Sequence, residues 1–340
     1  MENLFTDSVE RLFAQIVVPD AIRAIEQVGS ADSLWQGLEE SGFLDALLPE
    51  EADGAGLSLE HAFPLFLLAG QYAVPVPFVQ TMLARAWLNA SGIKAPPGPI
   101  TIAAFGVREL GNAIEADAVP FGRVAAWVLT QVDASVALLP VSDAEAGPSL
   151  GYGSLNASLR WNDSPAAAIT IPSDDLPEIS LAGLAAASYA PLLAGAANRV
   201  LEMTLEYANQ RMQFGKNIGR FQAIQNQISV MAERTWASRM AAQLACRGSG
   251  WSPTLLRAAI GKSRCSEVAV PIADIAHAVH GAIGVTEEYD LQLYTRRLRE
   301  WRLVAGTETY WDSQIGTQLL QQPQHTALSF ICDELAADRV

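Results

Sequence analysis

Between residues 211 and 225 the chain reads RMQFGKNIGRFQAIQ, a link between two helical patterns that holds two arginines, a lysine, two glycines and several amides, groups that could grip an anion. Arg211 carries a planar fork of N–H groups that matches a phosphate in bidentate fashion. Gln213, Gly215, Lys216 and Asn217 offer further donors, and Gly219 permits a tight backbone. A helix expected to begin near Arg220 would leave free N–H groups at its start, and those attract anions too. Such a loop could hold a pyrophosphate. It could equally be a polar link between two helices, with Phe214 as its anchor.

Helices must position that loop on both sides. LAGLAAASYAPLLAGAANRVLEMTLEYANQ precedes it, with Leu192, Leu193, Val200, Leu201 and Leu205 on a wide apolar stripe and small residues crowding its first half. After it, Ile218, Phe221, Ile224, Ile228, Met231 and Trp236 recur at three- to five-residue steps. SPTLLRAAIGKSRCSEVAVPIADIAHAVHG, a Gly-rich elbow and a last helix after GTETYW complete the region. Long helices with short links predict an antiparallel bundle of about four helices. The small-residue face and wide stripes suggest that the bundle packs against copies of itself or a relative. Residues 1–93 read as a separate helical region, in which Asp32 or Ser33 would cap a helix closed by Gly42. Residues 94–175 change character, with short β-branched runs between turns, and read as a small strand-rich domain. The expected fold is therefore mainly α with a small β domain: helices over 1–93, strands over 94–175, a helical bundle over 176–340.

Composition excludes several classes. The formal net charge of −15 opposes nucleic-acid binding. His277 and His280 have helical spacing but no companion ligand, so no metal site is expected. Cys246, Cys265 and Cys332 are scattered and read as buried free thiols. The acidic amphipathic start is unlike a signal peptide, and no apolar run of transmembrane length with clean flanks is evident. A soluble, cytoplasmic protein is expected.

The loop resembles a signature of the acyl-CoA dehydrogenase family, R-x-x-FG-x-x-I-x-x-FQ, with Arg211, Phe214, Gly215, Ile218, Phe221 and Gln222 in register. LWQGLEESGFLDALLPEEADGAGLSLEHA is similar to the family's N-terminal helical segment, and VPFGRVAAWVLT to the strand entry of its middle domain. AVHGAIGVTEEYDLQLYTRRLREWRLVAGT is similar to its Q-x-HGG-x-G segment, arginine-bearing helix and EGT turn, with Gly281, Gly284, Arg296, Gly306 and Thr307 in place. The resemblance covers nearly the whole chain. It implies an N-terminal helical domain, a middle β domain and a C-terminal four-helix bundle. It further implies FAD as cofactor, an acyl-CoA thioester as substrate and electron-transfer flavoprotein as a partner. In the family this loop reaches the FAD of a neighbouring subunit. Arg211, Gln213, Phe214, Ile218, Phe221 and Gln222, with Gly281 and Thr307, are the cofactor-contacting residues so implied.

The resemblance breaks where the chemistry needs a base. Family chemistry removes an α-proton with a carboxylate while a hydride leaves the β-carbon for the flavin. The glutamate usually stands just before the Gly-Thr turn, where this chain has Ala305. The alternative position, on the first bundle helix, falls near Ala185 and Ala186. Glu308 is a displaced candidate whose plain reading is a first-turn glutamate after a Thr307 cap. The threonine-glutamate-proline loop and Gly-Ser-Asp turn of the middle domain are missing, so that domain reads as reduced. Ala278 and Ala282 replace the elbow's glutamine and second glycine. Pieces that act across an interface are kept, and pieces that act within one chain are lost. The pattern is that of the supporting chain of a heteromeric acyl-CoA dehydrogenase, which shares or borrows FAD from a related subunit in a dimer or tetramer. Two other readings stay open: an active homo-oligomer with an unusual base, and a structural or regulatory homologue.

Overall fold

The computed structural model describes residues 2–336 apart from 29, 134, 148–150, 163–164, 166, 173–175 and 323–325, so the expected boundary at 175 lies outside the described residues. Five helices come first: α1 (Glu2–Ile16), α2 (Pro19–Val28), α3 (Asp32–Glu40), α4 (Leu59–Gln71) and α5 (Phe78–Ala90). Asp32 is already helical in α3. Ala31 takes the cap position with no side-chain bond, while Gly42 follows the helix in the left-handed region. Ser58 caps α4 by accepting from the His61 N–H at 3.3 Å.

Strands fill the middle. β1 (Ile100–Ala103), β4 (Trp127–Val132), β5 (Ser135–Pro140) and β8 (Ile169–Ile171) form one sheet in that order. β2 (Val107–Leu110), β3 (Ala113–Val119), β7 (Ala157–Trp161) and β6 (Glu145–Ala146) form the other. Among the described residues only β1 and β4 pair in parallel; the remaining pairs of these two sheets are antiparallel. The segment between Phe105 and Val119 is itself the β2–β3 hairpin. Short strands with small residues such as Ala103, Ala116, Ala137 and Ala157 at the inter-sheet core keep this region small.

The helical end holds α6 (Leu181–Gln210), α7 (Gln222–Ala245), α8 (Leu255–His280), α9 (Leu291–Leu303), α10 (Glu308–Leu320) and α11 (Ala327–Ala336). α6 is central and packs on α4, α7, α8 and α9, while α8 also touches α10. α7 and α8 run antiparallel: Gly261 lies against Ala241 and Ala245, and Cys265 against Ser238. α4 and α6 cross glycine on glycine. A Cβ at Gly70 would meet the Leu192 carbonyl oxygen at 2.2 Å, and one at Gly195 would meet that of Leu67 at 2.0 Å. The small first half of α6 thus permits the close approach that its composition suggests.

Three expectations need correction. Leu205 and Trp236, read as part of the apolar stripes, are exposed, as are Val230 and Met240 near them, because among the described residues nothing covers these outer faces of α6 and α7. Cys332 is exposed on α11, unlike buried Cys246 and Cys265. Two segments, Leu181–Gln210 and Leu255–Val285, are long and apolar enough to cross a membrane, although 89% of the apolar window in the first is buried within the fold.

Candidate functional site: an apolar cleft and an exposed arginine hairpin

The 211–225 stretch folds as a miniature hairpin. β9 (Met212–Gln213) pairs antiparallel with β10 (Lys216–Asn217), and the Ile218 N–H closes it onto the Arg211 carbonyl at 2.8 Å. Phe214 and Gly215 form the tip with φ of 52° and 77°. A positive φ suits glycine, but for phenylalanine it is a strained choice that the rest of the hairpin must enforce. The Phe214 ring stands clear of the fold, 91% exposed. Phe214 packs edge-on to Phe221 with centroids 6.1 Å apart, and the Lys216 ammonium sits 4.2 Å above the Phe221 ring. Asn217 donates to the Asn209 carbonyl, which ties the hairpin to the end of α6. Arg211 and Gln213 are exposed, and the Arg211 guanidinium pairs with none of the described residues. Gln222 opens α7 and donates to Asn226 at 2.9 Å. Ile218 and Phe221 are half-buried beneath.

Gly281 lies at the same end of the molecule. It follows the last residue of α8, where the His280 ring stacks on Tyr207 at 4.4 Å and the Tyr207 hydroxyl donates to the His280 carbonyl at 3.3 Å. Tyr207 is in the last turn of α6, four residues before Arg211. The Gly-rich elbow and the arginine hairpin therefore flank one end of the α6–α8 pair.

Elsewhere, a cleft of about 760 Å³ opens between the sheets and the α9–α10 link. Ile102, Ala103, Ala104, Phe105, Ala118 and Pro120 line its strand side. Leu303, Val304, Ala305, Gly306, Thr307 and Tyr310 line the helical side. Phe105 and Tyr310 meet edge to face at 5.2 Å and join the two walls. Ala305 and Gly306 both have positive φ, 59° and 84°. A Cβ at 306 would meet the Trp311 ring nitrogen at 2.7 Å, so only glycine fits there. The wall at 305 ends in a methyl group, which can neither accept nor donate a proton.

Glu308 does not line this cleft. One of its oxygens accepts from Arg302 and the other is buried without a partner. Burial works to raise its pKa. The Arg302 hydrogen bond, one from its own backbone N–H, and the charges of Arg302 and Lys262 outweigh that and hold it below the usual carboxylate range. A lowered pKa makes it a weaker base. The two carboxylates that do line the cleft are Asp117 and Glu300. Asp117 pairs with Arg108 at 2.8 Å. Glu300 accepts from the Ser154 hydroxyl with one oxygen and from Arg297 at 3.1 Å with the other. Arg297 is anchored in turn on buried Glu26 at 2.6 Å, as is Arg296.

A family model described as "Acyl-CoA dehydrogenase, C-terminal domain" matches residues 183–320, the span that carries both the hairpin and the Ala305 link. Residues 183–320 thus match the C-terminal domain of the acyl-CoA dehydrogenase family. Acyl-CoA dehydrogenase IpdE2 of Mycolicibacterium smegmatis is 28% identical over 305 residues, covering 87% of this chain and 91% of that one. Among solved structures, the Tcur3481–Tcur3483 steroid ACAD superposes with a TM-score of 0.81 at 22% identity, over 95% of this chain and 99% of that chain. The ChsE4–ChsE5 complex of Mycobacterium tuberculosis superposes with a TM-score of 0.79 at 21% identity, over 94% and 97%. At those identities the superpositions establish the acyl-CoA dehydrogenase fold.

Within that fold the site residues named from sequence fall into two sets. Arg211, Gln213, Phe214, Ile218, Phe221, Gln222 and Gly281 gather at the hairpin end. Thr307 and Ala305 gather at the cleft, next to Lys262, whose ammonium donates to the Gly306 carbonyl at 2.8 Å. Lys262 and His280 are 18 positions apart on α8, which at 1.5 Å per residue is roughly 27 Å. A single copy of this chain does not bring the two sets together. Ala185 and Ala186 are buried in α6 and add no polar group. Sequence reasoning missed Glu300. Its only signal is its place one turn beyond Arg296 and Arg297, on the α9 face turned toward the strands.

Proposed function

We propose that the chain is the supporting subunit of an FAD-dependent acyl-CoA dehydrogenase, assembled with a related chain that supplies the base. The observation that carries this is the division of the site: a methyl at 305 in the cleft near Lys262, and an Arg211 unpaired among the described residues on an exposed hairpin near His280, with roughly 27 Å of α8 between Lys262 and His280. The hairpin's donor set fits the diphosphate and adenosine end of a dinucleotide. It offers an unengaged guanidinium, the Gln213 and Gln222 amides, and the Phe214 and Phe221 rings with Ile218 between them. Gly281 stands beside them at the same end. FAD, when bound, would accept the hydride lost from the β-carbon of the acyl-CoA. This chain's residues would grip the cofactor of a neighbour, while removal of the α-proton falls to a carboxylate of that neighbour. Exposed Phe214, Val230, Trp236 and Met240 supply apolar surface for the assembly. Two structural neighbours are described as two-component assemblies, and one as a steroid ACAD, which supports a heteromer and a bulky acyl group. Electron-transfer flavoprotein as acceptor and a cytoplasmic location belong to the same proposal.

Co-expression with a complete acyl-CoA dehydrogenase chain tests it. The expected product is a yellow dimer or tetramer of both chains, with this chain colourless when purified alone. Arg211→Ala should lower flavin content in the complex severalfold. A yellow lone chain that bleaches with acyl-CoA would overturn the supporting role. Glu300 favours that second reading, an active homo-oligomer, because it is a half-buried carboxylate in the cleft itself. In that case Glu300→Gln should abolish the bleaching.

A further inference from the structure

Lys262 is a lysine with no exposed surface at all, in the interior of α8. Its ammonium has three donors and meets three oxygens: Ser266 Oγ at 2.7 Å, the Gly306 carbonyl at 2.8 Å and the Arg302 carbonyl at 3.0 Å. Only the first lies on its own helix. The other two bracket the link from α9 to α10, one in the last turn of α9 and one just before the Thr307 cap. Between them Val304, Ala305 and Gly306 form part of the cleft wall. Trp311 adds a fourth tie, donating from its ring nitrogen to the Ala305 carbonyl at 2.8 Å.

The link needs such ties. Ala305 is left-handed at φ 59°, a conformation that is strained for an alanine and persists only where its surroundings enforce it. The Arg302 carbonyl is one of the four that a helix C-terminus leaves without an intrahelical donor. A methionine or leucine would fill the same volume without burying a charge, and burying a charge is costly. Packing alone therefore does not account for a lysine at this place, whereas three converging oxygens do.

We propose that Lys262 is the positioning residue of the cleft wall: it reaches across from α8 and holds the α9–α10 link so that residue 305 keeps its left-handed backbone and faces the cleft. The groups around it agree with that role. Glu308 on α10 and Arg302 on α9 face it and pair with each other, so neither replaces its contacts. Cys265 on α8 donates to the Ser238 carbonyl of α7. Asp312 on α10 is engaged by Ser263 at 2.6 Å. α6 contributes alanines, Ala186 and Ala187, to the neighbouring apolar cluster. Lys262 would act in this way whatever occupies the cleft, so the subunit proposal and this one can fail separately.

Hydrogen exchange resolved by peptide tests the role in the intact chain, co-purified with its partner where one is needed. Lys262→Met keeps the volume and removes the donors. Peptides covering 303–311 should lose at least tenfold in protection, while those from the middle of α6 and α7 stay as they were. Adding Ala305→Gly should restore most of the loss, because glycine takes the left-handed conformation without penalty. A lysine that merely filled space would give no such rescue. Unchanged exchange in Lys262→Met, a loss spread evenly over α6–α8, or a double variant no better than the single one would each overturn the proposal. Lys262→Gln, which retains two donors, should loosen the same peptides less and serves if the methionine variant does not fold. In the unaltered chain the Val304, Tyr310 and Trp311 amides should exchange at least tenfold more slowly than those of the β9–β10 hairpin. Equal rates would also count against it.

Discussion

Ala305 and Glu308 are three residues apart, yet they stand in different places. The methyl of Ala305 meets the cleft, while the Glu308 carboxylate is turned onto Arg302 in the first turn of α10. That geometry makes Glu308 a structural anion at a helix N-terminus, where the dipole and Arg302 both favour its charge. Glu308→Gln should therefore change turnover of the assembled enzyme by no more than about twofold, since a missing general base costs far more, ~100-fold or above. It should lower the melting temperature by a few degrees, the scale of about 1 kcal/mol in a chain of this kind. A loss of turnover without a loss of stability would return Glu308 to the list of bases. The absent base was legible in the sequence because the Gly306-Thr307 turn fixes the register in which Ala305 falls. Glu300 was not legible. Its role depends on which side of α9 meets the strands, and that is set by contacts more than a hundred residues away, with Ser154 and Glu26.

At the scale of elements, the hairpin and the α4–α6 crossing behave as opposites. Phe214 is on the outside with its ring exposed, so Phe214→Ala should leave the lone chain's unfolding free energy within about 0.5 kcal/mol. The same change should weaken assembly, because a ring presented to solvent at a loop tip gains only when a partner covers it. A tenfold rise in the dissociation constant, about 1.4 kcal/mol, is the expected size, measured by analytical ultracentrifugation. An unchanged assembly constant would place the interface elsewhere. Gly195→Leu acts on the interior instead. Even the first added carbon would lie 2.0 Å from the Leu67 carbonyl oxygen, so α4 must move away. The expected loss exceeds about 3 kcal/mol, at the upper end for overpacking, and is read by denaturant unfolding. The length and order of the long helices were legible because small-residue runs and apolar stripes repeat at helical spacing. The burial of Leu205 and Trp236 was misjudged for a physical reason: periodicity reports that a face is apolar but not whether this chain or another covers it.

Taken as a whole, the molecule separates a gripping end from a cleft, and between them runs α8 with a charge at its interior. Helical, stranded and helical regions in that order could be read from pattern alone. The division of the site could not, since Gly281 and Thr307 are 26 residues apart in sequence and only the antiparallel return of α9 decides where each one comes to rest. The buried charge gives the whole chain a characteristic dependence on pH. Burial drives the Lys262 pKa from the ordinary 10.5 down to about 7. Unfolded lysine keeps its proton up to the ordinary value, so unfolding takes up a proton between the two. Stability then rises with pH across that window and is lowest, as far as this group is concerned, below 7. Burial acts in the other direction on the thiols, raising Cys265 to about 11 and Cys246 further still. Their contribution is lost as pH climbs past the ordinary thiol range, because the unfolded chain releases those protons first. Between pH 7 and 8.5 the lysine acts alone of the three. Denaturant unfolding of the native chain and of Lys262→Met should diverge there, the native chain gaining at most about 1.4 kcal/mol per pH unit over the variant. Parallel curves would show that the ammonium is stabilised well enough by its three oxygens to stay charged throughout, and the divergence would then appear only near the ordinary lysine range.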